Sequence, residues 1–184
     1  KGTALQTVTT GENGVAAYTV DIPIANGYYI TETQAPYAYT RNQSDTYSFN
    51  FNYLSNTTLT ATFSHTFKND RTTAKIHIYK VDKETGKAIP QGDAKLEGAV
   101  YVLYARNDIA HPDGATGVIF KAGDLVATLT TDSKGEAEVK NLYLGNYYVK
   151  EIEPSEGYLL DEEEHDVICD YENDLVAEVS RSTK

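Results

Sequence analysis

Lys75-Ile76-His77-Ile78-Tyr79-Lys80-Val81 sets Ile76 and Ile78 on one side of the chain and Lys75 and His77 on the other. A period of two belongs to a strand with one buried face, because a helix would scatter the same residues around its axis. Working outward, Val100-Tyr101-Val102-Leu103-Tyr104 and Tyr47-Ser48-Phe49-Asn50-Phe51 read as strands too. Asn13-Gly14 and Lys134-Gly135 supply hairpin turns, where glycine tolerates the positive φ that a tight turn demands. No stretch sustains a helical period with caps at both ends. Short strands punctuated by frequent turns indicate an all-β sandwich or barrel. The composition agrees: 15 Tyr, no Met and no Trp, with abundant Thr and Val suited to pleated, half-buried surfaces.

The chain repeats itself. Thr9-Thr10-Gly11-Glu12-Asn13-Gly14-Val15-Ala16, followed by Gly27-Tyr28-Tyr29-Ile30-Thr31-Glu32, returns as Thr130-Thr131-Asp132-Ser133-Lys134-Gly135-Glu136-Ala137, followed by Asn146-Tyr147-Tyr148-Val149-Lys150-Glu151. Phe49, Phe51 and Tyr53 align in turn with Val167, Cys169 and Tyr171. Collinear matches at nearly constant offset predict two tandem β-sandwich modules. The polar stretch Lys68-Asn69-Asp70-Arg71-Thr72-Thr73 suggests a boundary giving modules of 1–70 and 71–184. The first is expected to be N-terminally truncated, since nothing before it corresponds to the Lys80 and Val100–Tyr104 strands.

Composition also bounds function. Forty per cent apolar residues suffice for a core, and 184 residues suffice for two modules. The net charge of −11 argues against a nucleic-acid partner, which needs a basic surface. No apolar run is long enough to span a bilayer, so no membrane insertion is expected of this segment. A single cysteine rules out a disulfide framework. His65, His77, His111 and His165 are never spaced as a metal pair. With neither a phosphate loop nor a nucleophile elbow, the sequence suggests no cofactor, no metal and no enzyme.

Ile78-Tyr79-Lys80-Val81-Asp82-Lys83-Glu84-Thr85-Gly86-Lys87, then Leu96-Glu97-Gly98-Ala99-Val100-Tyr101-Val102-Leu103, resembles the opening of Cna B-type domains, the prealbumin-like modules of Gram-positive pilins and adhesins. Tyr147-Tyr148-Val149-Lys150-Glu151 and Gly157-Tyr158 continue that pattern, and Glu32-Thr33-Gln34-Ala35-Pro36 matches it more closely still. The resemblance implies that the two tandem modules are of Ig-like or prealbumin-like type, and it implies an intramolecular isopeptide bond. In such domains a first-strand Lys attacks an Asn or Asp on the last strand while a buried acid moves the proton. It assigns Lys80 as nucleophile, Glu151 and Glu32 as proton shuttles, and Asn69 as acceptor. The chemistry needs these types because only a neutral amine is nucleophilic, and burial favours neutral amine and neutral acid alike. Aligning Leu59 with Leu175 puts the counterpart of Asn69 at position 185, and the first copy lacks a family-type Lys. As cut, neither copy is expected to hold a complete set. Asp170, Asn173 and Asp174 stand as acceptors should that alignment be wrong.

Local readings compete with some of these assignments. Lys80 could be a strand lysine with a packed stem and a solvated charge, and Asn69 an ordinary turn residue. Cys169 invites a thioester reading, but its alternation with Val167 and Tyr171 favours a buried strand thiol. Asp161-Glu162-Glu163-Glu164-His165-Asp166 lacks the glycine and ligand alternation of a calcium loop and reads as a solvated acidic turn. The implied function is a structural stalk or spacer of an extracellular, cell-wall-anchored adhesin or pilin-like protein, whose partners are neighbouring modules of the same protein. The alternative is a module that binds a host extracellular matrix protein or a glycan through the long Ala105–Gly123 loop.

Overall fold

The computed structural model describes residues 2–58 and 60–184; Leu59, used in the alignment above, lies outside the described residues. The strands in chain order begin with β1 (Ala25–Thr31), β2 (Tyr39–Thr40), β3 (Thr46–Phe51), β4 (Asp70–Arg71) and β5 (Thr73–Tyr79). There follow β6 (Val100–Ala105), β7 (Ile109–Ala110), β8 (Val118–Phe120) and β9 (Leu125–Thr130). The last are β10 (Glu136–Leu142), β11 (Gly145–Glu153), β12 (Glu164–Cys169) and β13 (Glu178–Thr183). The described residues contain no helix, so none is long and apolar enough to cross a membrane. The chain is all-β.

Two compact units emerge, one of Lys1–Thr31 and Gln43–Thr66, the other of Glu32–Asn42 and Phe67–Lys184. In the first, β1 pairs antiparallel with β3, joining Tyr28 to Phe49 and Ile30 to Tyr47. Tyr28 stacks on Phe49 at 5.6 Å and Phe49 on Phe63 at 4.5 Å. Asn13-Gly14 makes its tight turn, with the Gly14 N–H donating to the Gly11 carbonyl at 2.9 Å. The flanking segments, however, are not strands. The Gln6 side chain accepts the Thr19 and Val20 N–H groups that a ladder would have used.

In the second unit, a three-stranded sheet (β10-β5-β13) faces a four-stranded one (β12-β11-β6-β9). Their inner faces share a core of Ala74, Ile76 and Ile78 from β5, Tyr101, Leu103 and Ala105 from β6, Tyr147 and Val149 from β11, and Val167 and Cys169 from β12. The alternation read in Lys75–Val81 therefore lies on the strand as expected, with Ala74, Ile76 and Ile78 buried. β13 runs parallel to β5, Val179 against Ala74 and Thr183 against Ile78. β11 and β12 pair Tyr147 with Val167 and Val149 with His165. Relative to β1 and β3, these residues sit at the same offsets that relate the sequence copies.

Two further expectations are corrected. Glu164-His165-Asp166 belongs to β12, not to a turn. Ladder pairing with β11 straightens it, and Arg106 offsets its charge at 2.8 Å from Glu164 Oε2. Residues 105–123 are no bare loop either: β7 and β8 pair within them. Asp113 closes the turn, its Oδ1 accepting the Ala115 and Thr116 N–H groups at 2.9 Å.

Candidate functional site

The inward row of β5 continues past Ala74, Ile76 and Ile78 to Lys80, and that of β11 runs through Tyr147 and Val149 to Glu151. A strict period of two thus carries one cation and one anion into the same end of the core. Lys80 Nζ donates to Glu151 Oε1 at 2.6 Å, with the two side chains 9% and 0% exposed. Burial of either charge alone would cost several kcal/mol, roughly, so each needs the other.

Neighbours complete the shell. The Asp161 N–H donates to Glu151 Oε2 at 2.8 Å. Tyr158 lays its ring 5.4 Å from Lys80 Nζ. Tyr101 is the register partner of Glu151 across β6 and β11. Burial first, and the Glu151 charge second, push the Tyr101 hydroxyl above its ordinary range. On the far side of Lys80, its own N–H donates to the Gly135 carbonyl at 2.7 Å. Sequence reasoning missed Asp161, Tyr101 and Gly135 as members of this site. The one related signal in the sequence is the spacing from Glu151 to Tyr158, which equals that from Glu32 to Tyr39.

Glu32 and Asn69 also meet, half-buried: Asn69 Nδ2 donates to Glu32 Oε2 at 2.7 Å and to the Thr40 carbonyl at 3.3 Å. The four assigned residues therefore form two pairs, Lys80 with Glu151 and Glu32 with Asn69. Of the substitute acceptors, Asn173 caps the Leu175 N–H at 2.9 Å. Asp174 accepts the Ala35 N–H at 3.0 Å and lies 3.4 Å from Arg41 Nε.

Cys169 is fully buried, and burial pushes its thiol up to about 11, so it is mostly unreactive thiol at neutral pH. No group of three His, Cys, Asp or Glu side chains able to hold a metal occurs among the described residues. Residues His111 and Pro112 of the 105–123 segment line a cavity of about 280 Å³ together with Tyr37, Tyr143 and Tyr171. Arg71, in its wall, is committed to the Leu142 carbonyl at 2.8 Å and stacks 4.0 Å from the Tyr143 ring.

No curated protein matches the sequence. Among solved structures, the Bacillus anthracis TIE protein is similar at 22% identity with a TM-score of 0.56, over 95% of this chain and 26% of that one. At that identity the likeness is one of fold. The group B streptococcus pilus 2b backbone protein matches at 23% identity and a TM-score of 0.40, over 67% of this chain and 45% of that one. The minor pilin of Streptococcus agalactiae matches at 26% identity and a TM-score of 0.36, over 61% and 43% respectively. The chain thus spans less than half the length of each. The model of the SpaA prealbumin-like fold domain matches residues 74–183, more than half of the chain. This protein belongs to the SpaA prealbumin-like fold domain family.

Proposed function

We propose that the chain is a structural stalk or spacer segment of a Gram-positive, wall-anchored surface protein, of the kind closed by autocatalytic Lys–Asn or Lys–Asp isopeptide bonds. The carrying observation is the buried Lys80–Glu151 contact at 2.6 Å. A buried ion pair is a poor means of stabilising a core, since apolar residues of equal volume often do as well or better. It is a good means of storing a nucleophile beside its base. Family membership supports a structural rather than enzymatic role.

The partner strands support the reading further. β5 and β13 are parallel, with Thr183 opposite Ile78, so the residue opposite Lys80 would be the one directly after Lys184. In the other pair, Glu32 holds the carboxamide of Asn69 through its nitrogen, the atom that would leave as ammonia. A covalent tie between first and last strands would carry load past the hydrogen bonds of the sheet. By analogy with a disulfide closing a loop of about 100 residues, it would add roughly 4–5 kcal/mol through the unfolded state. The ligand-binding alternative has only the cavity beside His111 in its favour, and Arg71 there is already spent on backbone carbonyls.

Mass spectrometry tests the proposal. The 184-residue chain should show its sequence mass, with no condensation. With a single asparagine appended after Lys184, it should lose about 17 Da as ammonia leaves. Lys80→Ala and Glu151→Ala should each abolish that loss. Retention of the full mass by the extended chain, or its loss in the Lys80→Ala variant, overturns the proposal.

A further inference from the structure

The two oxygens of Glu151 are not equivalent. Oε1 accepts from Lys80 Nζ at 2.6 Å and Oε2 from the Asp161 N–H at 2.8 Å. An ammonium can surrender its proton to a carboxylate, whereas a peptide N–H only donates a hydrogen bond. A proton on Oε2 would compete with the amide hydrogen for that oxygen's lone pairs and weaken the hydrogen bond from Asp161, a loss that costs more in a buried site. We propose that the Asp161 backbone N–H is a positioning group that confines the Glu151 proton to Oε1, the oxygen facing Lys80. This inference rests on the reading of Glu151 as proton shuttle and adds which atom carries the proton and what holds it there.

The segment that presents the amide is fixed at several points. Asp161 Oδ1 accepts the Glu163 N–H at 3.1 Å, and Asp161 Oδ2 lies 2.9 Å from His165 Nε2 on β12. The Tyr158 N–H donates to the Ser155 carbonyl at 3.1 Å, and the Lys95 N–H to the Glu156 carbonyl at 2.9 Å. Gly157 sits at φ +88° with Ala94 so close that a Cβ would meet its Cβ at 2.7 Å. An amide delivered by such a segment stops the carboxyl from turning end over end, so the oxygen facing Lys80 stays the same one.

The steps then balance through one atom. Lys80 passes a proton to Oε1, and the neutral amine attacks the carboxamide carbon of an asparagine opposite it. Oε1 returns that proton to the leaving nitrogen as the C–N bond to it breaks. A second proton leaves the new amide nitrogen by the same oxygen. Lys80 gives up two of its three ammonium protons, the product amide keeps one, and the carboxamide nitrogen departs as ammonium. Glu151 ends as it began.

Two measurements test the inference. In the 184-residue chain, a scalar coupling through the hydrogen bond should connect the Asp161 amide nitrogen with the Glu151 side-chain carboxyl carbon; its absence overturns the positioning claim. In the chain extended by one asparagine, Asp161→Pro removes the donor, while Asp161→Asn keeps it along with an oxygen for Glu163. Asp161→Pro should slow the loss of about 17 Da tenfold or more and move the acidic limb of the rate–pH profile to higher pH. Asp161→Asn, which keeps the donor, should be slowed severalfold less than Asp161→Pro on the same grounds. Amide exchange at Tyr147 and Val149 establishes that each variant is folded, and should Asp161→Pro fail to fold, the coupling decides alone. An unchanged rate and profile in folded Asp161→Pro overturns the inference and leaves the shuttle reading standing. If the extended chain itself loses no mass, the shuttle reading falls and takes this inference with it.

Discussion

Gly135 shows how much one residue can carry. The turn Lys134-Gly135 was legible in the sequence as a hairpin signal, and the structure gives Gly135 φ +77°. What the sequence does not disclose is its neighbour: a Cβ at Gly135 would lie 2.9 Å from the Lys80 carbonyl oxygen and 3.0 Å from Leu96 Cβ. The requirement for glycine is therefore double, one part conformational and one part steric, and the second joins residues far apart in the chain. Gly135→Ala should destabilise the folded chain by about 1–3 kcal/mol, the usual cost of a strained backbone position. Urea denaturation should show a lower midpoint with an unchanged slope. Gly14 has φ +72° and open space around the position a Cβ would take, with no atom within 4 Å. It should respond to the same substitution through its backbone alone, and so more weakly. Equal losses at the two glycines would mean that the contact with Lys80 contributes nothing.

At the scale of elements, alternation disclosed strands but not their partners. β5 and β3 were legible because each sets apolar residues at every second position, and β6 because it is a short, wholly apolar and aromatic run bounded by a turn. The parallel union of β5 with β13 was not, because a register is a relation between two distant stretches and neither stretch encodes it alone. The same limit explains the miss at Asn13-Gly14, where a good turn lacks a ladder because Gln6 takes the flanking N–H groups. It also explains why Lys80 and Glu151 could be matched to a family pattern while the Asp161 amide that completes their shell went unseen: backbone donors leave no mark in residue identity. β13 lies at the edge of its sheet and contributes one buried apolar side chain, Val179, to the interior. Its attachment should therefore depend on that residue. Val179→Ala removes two buried methyl groups and should cost about 2 kcal/mol. Ser180→Ala, on the exposed face, should change stability by less than about 0.5 kcal/mol. Equilibrium unfolding of both variants measures this, and an insensitive Val179 would mean that the ladder hydrogen bonds alone hold the strand.

Across the whole molecule, the two units differ in what they can bury. The unit of Glu32–Asn42 and Phe67–Lys184 has two facing sheets and a shared core. The described part of the other unit has one two-stranded sheet, and leaves Leu5, Val15, Ile24, Tyr53 and Leu54 more than half exposed. A two-stranded sheet is at best marginally stable in water, because it cannot bury enough apolar surface to offset the entropy of ordering its chain. Local stability follows buried contacts, so the two units should open at different free energies. Hydrogen exchange followed by mass spectrometry should find amides of β1 and β3 exchanging well before those of β5, β6 and β11. On heating, the aromatic stack of Tyr28, Phe49 and Phe63 should be lost before the core around Tyr147. A single cooperative transition, with β1 protected as strongly as β11, would contradict this ordering. It would require the first unit to draw on stabilisation beyond its own sheet and stacked rings. Strands supplied by a longer chain, equivalent to β5 and β6, would have the same effect. Repeating the exchange experiment on a chain extended before Lys1 therefore measures how far this unit's stability depends on residues outside the 184.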